Sequence, residues 1–330
     1  MSGTDKPETF SPGINHREKA FQIGVLLDGR PGHEKQTLGV VAALGRKIPL
    51  KQWRISVPRP TPLARLVQLC RLFLPGGGLA HPQLGSADLL FGTGSTTHLS
   101  LLLYKKQYRI PIVTCMSPVA LLRRRFDLCF IPEHDGIGPA GNILLTAGAP
   151  NSSSNQGQHD EQKGLILLGG IDPASHTWDN REIIRMVETI VSSGDSRSWV
   201  IASSPRTPDE TLVETRHLAD RYANAVFVDF RDTQPGWIEE HYALCSVAWV
   251  TADSISMMYE ALAAGCRLGI LPVPWRKKNS KFQNNEKIVL EKGLAISFDT
   301  WLTRQNDWSP AIYLNEAERC ADAIVKLLIK

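Results

Sequence analysis

Ionisable side chains crowd the turn that follows the first predicted strand, an apolar run at residues 21–27. The turn has the sequence DGRPGHEKQ and leads into a helix predicted over residues 35–44. Ligands of α/β sheets bind at such strand ends, and His33 or Asp28 could take a proton from an acceptor hydroxyl there. The alternative is that both side chains only fix the turn. We favour catalysis because one turn rarely needs so many ionisable groups.

A second turn with suitable chemistry follows the apolar run at residues 247–250. The turn TADS, a helix to about residue 264 and another apolar run indicate a strand–helix–strand unit of a parallel sheet. On a helical wheel, Asp253, Ser256 and Glu260 lie roughly opposite the apolar residues, so we expect this helix to have a polar side.

This helix has two interpretations. The free N–H groups of its first turn suit a phosphate, and Glu260 could accept hydrogen bonds from ribose hydroxyls. Alternatively, Asp253 or Ser254 is only a helix cap and Glu260 is a surface residue. The spacing alone leaves both interpretations open.

Three further turns extend the two predicted binding surfaces: the Gly169-Gly170 turn, the turn at residues 203–207 that contains Arg206, and a turn in the first half. In the second half, Gly169 and Gly170 would let backbone amides approach a pyrophosphate, which Arg206 can neutralise. In the first half, a glycine- and hydroxyl-rich turn after residue 91 could hold an anion or a sugar. The residues predicted on the acceptor side are Arg30, Gly32, Gly94 and Ser95.

The run Glu133-His134-Asp135 follows a strand predicted at residues 127–131 and suggests a cleft. Glu133 and Asp135 are therefore reserve candidates for a catalytic base. The run is not a metal motif, because adjacent strand residues point to opposite sides. The chain also lacks a DxD motif, and we predict neither a metal site nor a cofactor.

Length and composition predict two domains. The chain has 330 residues, of which 42% are hydrophobic, enough for two cores of roughly 150 residues each. Both halves repeat strand, ligand-binding turn and helix, which predicts two Rossmann-like α/β domains facing each other across a cleft. The predicted divisions are a disordered N-terminus at 1–20, a first domain at 21–150, a linker or exposed loop at 151–163, and a second domain at 164–330 whose last helix could pack back on the first.

Charge is distributed unevenly between the halves. Residues 1–150 hold 18 Lys and Arg against 9 Asp and Glu, whereas the rest holds 19 against 24, so the first half should contact an anionic partner. A basic amphipathic helix around Arg65 and Arg71 is typical of a membrane-surface contact, although a helix packed on its own sheet looks similar. Nucleic acid is disfavoured because the chain has no basic stripe interleaved with aromatic residues.

Several absences bear on localisation. No apolar run approaches the roughly 20 residues of a membrane span, and the first residues lack the apolar core of a signal peptide. The six cysteines are scattered without a CxxC pair, which indicates core residues in a reducing compartment. We expect a cytoplasmic protein, peripheral on the inner membrane if the basic helix contacts lipid.

Three stretches together resemble the mitochondrial-fission-type family of GT-B glycosyltransferases, which has plant members (the elongated-mitochondria-like proteins) and bacterial members. They are DGRPGHEKQTLG, FDLCFIPEHDG and VTADSISMMYEALAAG, and the likeness runs from about residue 21 to the end. It implies a bacterial member whose second domain binds a nucleotide-sugar and whose first domain binds the acceptor. By this resemblance Gly169, Gly170 and Arg206 would contact the diphosphate, Ser254 and Ser256 the phosphate or sugar, and Glu260 the ribose. Thr251 and Asp253, in the same turn as Ser254, complete the predicted donor-binding residues.

The resulting hypothesis is a metal-independent glycosyltransferase of the hexosyltransferase type, with His33 or else Asp28 as the base. Its acceptor would be a phosphorylated glycolipid, such as a lipopolysaccharide-core intermediate. Two alternatives remain. A nucleotide-sugar epimerase or hydrolase of the same fold would use the donor site without an acceptor. A non-catalytic interaction protein related to organelle fission factors would keep the fold and lose the transfer.

Overall fold

The apolar runs of the sequence form two separate parallel sheets of six strands each. The computed structural model describes residues 20–276, 280–304, 308 and 311–328. The N-terminus predicted to be disordered lies outside these ranges except for its last residue. Because parallel strands are covered on both faces, central strands such as CSVAWVT are buried along their whole length.

The first sheet has the strand order β2-β1-β3-β4-β5-β6, and its ladders are parallel. Its strands are β1 (Phe21–Leu27), β2 (Leu50–Ser56), β3 (Leu89–Thr93), β4 (Ile112–Cys115), β5 (Leu128–Pro132) and β6 (Ile143–Thr146). The helices between them are α1 (Pro31–Gly45), α2 (Pro62–Phe73), α3 (Ser95–Tyr108) and α4 (Ala120–Arg123).

The second sheet has the order β12-β11-β10-β7-β8-β9 and is also parallel. Its strands are β7 (Asp160–Leu167), β8 (Ser198–Ala202), β9 (Ala225–Val228), β10 (Cys245–Thr251), β11 (Arg267–Leu271) and β12 (Ala295–Ser297). The remaining helices are α5 (Asn180–Val191), α6 (Asp209–Arg221), α7 (Trp237–Leu244), α8 (Ile255–Ala264), α9 (Lys281–Glu291), α10 (Phe298–Thr303) and α11 (Glu316–Leu328).

In both sheets an α-helix joins each strand to the next strand of the same sheet, except between β5 and β6, and this alternation is that of Rossmann-like domains. The predicted α/β class with two such domains is therefore confirmed. The sequence analysis did not predict β6 and α10, which are only four and six residues long. It also placed the start of α1 four residues too late, because Pro31 is compatible with the first helical position.

The chain passes from the first domain to the second between β6 and β7. Because β7 begins at Asp160, residues 160–163 are strand, although they belong to the stretch predicted as a linker or loop. These residues are largely exposed, which explains their polar sequence. At the other end of the chain, α11 returns to the first sheet and buries Cys320 and Ile324 in its core.

Candidate functional site

His33 and Asp28 form a hydrogen-bonded pair at the carboxyl end of β1. His33 lies in the first turn of α1, and its Nδ1 is 2.9 Å from Oδ2 of Asp28. The Asp28 side chain is only 1% exposed, and that of His33 is 16% exposed. When Nδ1–H donates to the carboxylate, the other ring nitrogen, Nε2, carries the lone pair that can accept a proton. The pair therefore has the arrangement of a general base and the carboxylate that orients it.

Gly94 fixes the other side of the His33 ring. It precedes α3 with a φ of 87°, a conformation that favours glycine. A Cβ at this position would overlap the imidazole of His33. Gly94, predicted on the acceptor side, thus provides the space in which the ring is held.

A cavity of about 320 Å³ lies between the two domains, and His33 lines it. We call it the cleft pocket. The lining residues include Pro31, Gly32, His33, Lys35, Gln36 and Met116 of the first domain, and Ser256 and Glu260 of the second. Its size falls within the roughly 300–1,000 Å³ of ligand sites, so it can hold a group that is in contact with both domains.

Glu260 is paired with Lys35 across the cleft. The Lys35 Nζ lies 2.8 Å from Oε1 of Glu260 and 3.1 Å from Oε1 of Glu239 on α7. Burial raises the pKa of Glu260, although the charge of Lys35 opposes this. Burial also acts to lower the pKa of Lys35, but the two carboxylates outweigh it and the pKa is raised. Lys35 is therefore charged at neutral pH.

This pairing changes the role predicted for Glu260. The residue was predicted to accept hydrogen bonds from a ribose on the polar side of α8, but its side chain is only 8% exposed and already has a partner. At this point the polar side of α8 faces the first domain across the cleft pocket, and Lys35 is the partner of the carboxylate. Glu260 links the domains within the described structure.

A second cavity, of about 420 Å³, lies at the N-terminal end of α8. We call it the α8 pocket. Asp172, Arg206, Asp253, Ser254, Ser256 and Phe282 are among the residues that line it. Because no side chain caps α8, the first N–H groups of the helix and its dipole are available to an anion. Ser256 lines both cavities, so the two pockets meet at this residue.

Arg206 and Asp253 are linked to the glycine turn beside this pocket. The Arg206 Nη2 lies 2.7 Å from Oδ2 of Asp253, which also accepts a hydrogen bond of 3.1 Å from the N–H of Gly170. The N–H of Gly169 donates to Oγ1 of Thr251 at 2.8 Å. The Arg206 side chain is still 41% exposed, so it can contact a ligand while Asp253 holds it.

These bonds correct the prediction that Gly169 and Gly170 present free amides to a diphosphate. Both N–H groups donate to side chains at the end of β10, those of Thr251 and Asp253, and neither glycine is among the residues that line the α8 pocket. Glycine is needed there for close approach instead. A Cβ at Gly169 would overlap the Asp253 carboxylate, and one at Gly170 would overlap the Arg206 backbone.

The reserve bases are not brought to the cleft pocket. Glu133 forms an ion pair with Lys292, just beyond the end of α9, and Asp135 lies 3.7 Å from Nε2 of His134. Neither carboxylate lines the cavity that contains His33. The strand before them ends at another part of the interface between the domains, which their sequence position could not reveal.

The sequence analysis missed Met116, which also lines the cleft pocket. Its φ of 70° is unusual for a residue with a side chain, and such conformations cluster at functional sites. Asp172 and Phe282 in the α8 pocket were missed as well. None of the three belongs to a recognisable motif, so only the folded structure identifies them.

Two absences hold for the residues that the structure describes. Within those ranges, no group of three or more His, Cys, Asp or Glu side chains is arranged to hold a metal ion. None of the helices traced there combines the length and apolar character needed to span a bilayer.

The sequence matches the model of a family described as "Mitochondrial fission ELM1" over residues 31–328. No curated protein matches the chain.

Solved structures share its fold at low sequence identity. A candidate UDP-N-acetylglucosamine 2-epimerase from Listeria monocytogenes is 11% identical, with a TM-score of 0.58 and a match covering 93% of this chain and 95% of that one. The UDP-GlcNAc 2-epimerase of Neisseria meningitidis bound to UDP-GlcNAc is 12% identical, with a TM-score of 0.50 over 94% and 100%. The glycosyltransferase SnogD of Streptomyces nogalater is 12% identical, with a TM-score of 0.51 over 94% and 96%. The chain therefore has the GT-B fold, which glycosyltransferases and nucleotide-sugar epimerases share.

Proposed function

The chain belongs to the mitochondrial fission ELM1 family, and from this premise we propose that it transfers a sugar from a nucleotide-sugar to an acceptor hydroxyl. One observation carries the proposal. His33, which Asp28 holds from behind, lines the cleft pocket, the N-terminal end of α8 lines the α8 pocket, and Ser256 lines both. A base for the acceptor and an anion site for the donor are thus next to each other.

The donor is proposed to bind in the α8 pocket. Its diphosphate would accept hydrogen bonds from Arg206 and from the first N–H groups of α8, near Ser254 and Ser256. Its nucleoside would lie against the apolar surface of Phe282. Asp172 replaces Glu260 as the carboxylate available to sugar or ribose hydroxyls. Hydrogen bonds from the Ala174 backbone and the Ser175 side chain lower its pKa, so Asp172 is ionised at neutral pH.

The transfer uses His33 as the general base. Nε2 of His33 removes the proton of the acceptor hydroxyl while its oxygen attacks the anomeric carbon of the sugar. The bond between that carbon and the diphosphate oxygen breaks, and the electron pair leaves with the diphosphate. Arg206 and the N-terminal end of α8 stabilise the charge that develops on this leaving group. Asp28 keeps the imidazole oriented and stabilises it when it is protonated.

The acceptor is proposed to be an anionic glycolipid, such as a lipopolysaccharide-core intermediate, at the inner membrane surface. The apolar side chains of α2 support this, because Leu63, Leu66 and Phe73 are 72%, 57% and 56% exposed. The Arg125 guanidinium lies over the Phe73 ring, 4.8 Å from its centre. A helix with exposed apolar residues beside basic ones suits an anionic bilayer, so we propose a cytoplasmic protein that is peripheral on the membrane.

Calorimetry with UDP, GDP, ADP, CMP and their sugars tests the donor site. We expect saturable binding of one nucleotide family, weakened at least about tenfold in Arg206→Gln, because a charged hydrogen bond contributes about 1.5–3 kcal/mol. Arg221→Gln is the matched control, since Arg221 is exposed at the end of α6 and pairs with Glu188 on the neighbouring helix α5. Absence of binding by every nucleotide would reject the donor site and favour the non-catalytic interaction protein.

An epimerase or hydrolase is the second candidate, because epimerases are among the proteins of similar fold. Such an enzyme would convert or cleave the nucleotide-sugar with no acceptor added. Incubation of the purified protein with the nucleotide-sugar identified by calorimetry distinguishes the two. Turnover without acceptor supports the epimerase or hydrolase, whereas turnover that requires an acceptor supports the transferase.

A further inference from the structure

Three arginines of the first domain converge on a small cavity beside the cleft pocket. Arg30, Arg59 and Arg65 line this cavity, which has a volume of about 70 Å³, and we call it the arginine pocket. The other lining residues include Gln68, Ser95 and Thr96, and none of the lining residues is acidic. The cavity is much smaller than the cleft pocket, so it suits a small charged group better than a sugar ring.

Within the described ranges, none of these three guanidinium groups forms an ion pair or a hydrogen bond. Elsewhere arginines have acidic partners, as Arg46 has Glu318 and Arg319 has Glu316. Like charges that face one cavity repel each other. A bound anion would convert this repulsion into attraction.

Two other groups at the arginine pocket suit an anion. α3 is 14 residues long and has no side-chain cap, so its N-terminal N–H groups and dipole lie at Ser95 and Thr96 without a capping partner. The side-chain oxygen of Gln68 is buried and has no hydrogen-bond partner. Rotation of this amide by 180° would present its NH₂ group to an anion instead.

The arginine pocket adjoins the proposed base. Ser95 of this pocket follows Gly94, whose backbone lies against the His33 ring. Arg30 precedes Pro31, which lines the cleft pocket together with His33. One ligand could therefore place an anionic group among the arginines and a hydroxyl beside His33.

We propose that the arginine pocket binds a phosphate group of the acceptor and thereby holds the acceptor hydroxyl next to His33. A phosphate fits because its oxygens can accept hydrogen bonds from several guanidinium groups at once. The assignment to the acceptor rests on the proposed function, but phosphate binding by the pocket does not. The phosphate belongs either to a lipid headgroup or to a soluble phosphorylated molecule, and the same chemistry would recognise both.

Calorimetry on the full chain carrying Arg206→Gln tests the pocket, because this background weakens phosphate binding in the α8 pocket. The probes are inorganic phosphate, glycerol 3-phosphate and a short-chain phosphatidic acid below its micelle concentration. We expect Arg59→Gln with Arg65→Gln to weaken phosphate binding at least about tenfold, because two charged hydrogen-bond donors to the phosphate are lost. Arg54→Gln, an exposed position on β2, should leave binding unchanged.

Thermal unfolding without phosphate provides a second measurement. Removal of two like charges should leave the midpoint unchanged or raise it, and added phosphate should raise the midpoint only in the protein that retains both arginines. Equal phosphate binding with and without Arg59 and Arg65, or no phosphate binding at all, would overturn the proposal.

The probes also distinguish a lipid headgroup from a soluble phosphorylated molecule as the source of the phosphate. Together with the nucleotide measurements they test the arginine pocket and the transferase proposal separately. Tighter binding of phosphatidic acid than of glycerol 3-phosphate supports a lipid headgroup, and equal binding supports a soluble acceptor. If phosphate binds here but no nucleotide binds the wild-type chain, the pocket stands and the transferase proposal fails. If nucleotides bind but phosphate does not, the donor site stands and the arginine pocket is rejected.

Discussion

Asp28 and His33 illustrate what single residues contribute to the proposed chemistry. A histidine can act as a base only when one ring nitrogen holds the lone pair and points at the substrate. The buried Asp28 carboxylate meets the first requirement by accepting from Nδ1, and the backbone of Gly94 restricts the ring. Sequence reasoning identified both ionisable residues from their crowding in one turn. It could not identify the part played by Gly94, which is about 60 residues away along the chain.

His98 makes a prediction about pH. It is buried in the first turn of α3, and burial, with the charges of His33 and Arg65, lowers its pKa from 6.5 to about 4. Its folded-state pKa is therefore depressed, so the unfolded chain binds the proton first as the pH falls. The stability that neutral His98 contributes is present above pH 6.5 and is lost between about pH 6.5 and 4. The loss should reach about 3 kcal/mol.

Urea unfolding of wild type and His98→Gln across this pH range measures the effect. We expect the variant to lose less stability on acidification than wild type does. His217→Gln, at an exposed position on α6, is the control and should follow the wild-type curve. Parallel curves for wild type and His98→Gln would contradict the prediction.

Among the residues predicted to bind the donor, Arg206 and Glu260 lie in different surroundings, and donor binding by Arg206 stays a prediction. Arg206 lies at the predicted strand-end turn, lines a pocket and remains partly exposed. Glu260 lies on the polar side of α8, as the helical periodicity predicted, but its carboxylate is paired with Lys35 of the other domain. Periodicity reports that a side of a helix is polar, but it cannot say whether a ligand or another domain occupies that side.

At the scale of secondary structure, the long apolar strands and their following helices were predictable, and the elements at the edges were less so. The unit of β10, α8 and β11 was predicted with boundaries within a few residues. β7 was predicted to begin four residues too late, because its first four residues are polar and largely exposed. Short elements such as β6 and α10 contain too few residues to show a period.

α2 carries a prediction at this scale. Leu66 is 57% exposed on this helix, so Leu66→Glu removes an apolar contact with a bilayer and adds a repelling charge at little cost to folding. We expect co-sedimentation with vesicles containing phosphatidylglycerol to fall at least about tenfold, since burying a leucine side chain contributes about 1.5–3 kcal/mol. Wild-type binding should also weaken as salt is raised.

Val213→Glu is the control for α2, because Val213 is 53% exposed on α6 of the second domain. This variant should bind vesicles as wild type does. If wild type fails to bind at low salt, or if Leu66→Glu and Val213→Glu bind equally, α2 is not the membrane contact.

At the scale of the whole molecule, the Lys35 ion pair holds the two domains around the cleft pocket. Lys35 belongs to α1 and reaches Glu260 on α8 and Glu239 on α7. Lys35→Met leaves Glu260 buried without its counter-charge. Because the loss of one partner of a buried pair costs about 3–5 kcal/mol and Lys35 is partly exposed, we expect a loss of roughly 1–3 kcal/mol in the free energy of unfolding.

The coupling between Lys35 and Glu260 is measured by urea unfolding of three variants. These are Lys35→Met, Glu260→Gln and the double variant that carries both substitutions. The double variant should recover much of the stability, because no buried charge remains. Burial raises the pKa of Glu260, so the folded state of Lys35→Met binds a proton more readily than the unfolded state. The deficit of that variant should therefore shrink as the pH falls. Strictly additive effects would argue that the two side chains do not interact.

The two domains and the family were predictable from the whole sequence. The contacts that join the two domains were only partly predictable. The repeated strand, turn and helix in each half predicted the two sheets, and three scattered stretches indicated the family. The placement of α11 against α1 depends on pairs such as Arg46 and Glu318, which are more than 250 residues apart. The sequence analysis allowed for the last helix to pack back on the first domain, but no local pattern identified α1 as the helix that it contacts.

The release of nucleoside diphosphate from the nucleotide-sugar, with and without a membrane-lipid extract as acceptor, tests the central claim most directly. We expect release that depends on the acceptor for wild type and for the control His217→Ala. For His33→Ala, release should fall by about 10²–10⁴-fold, the usual contribution of a general base, while calorimetry gives the same nucleotide affinity. Unchanged release by His33→Ala would contradict the account, because the cleft would then act without its proposed base.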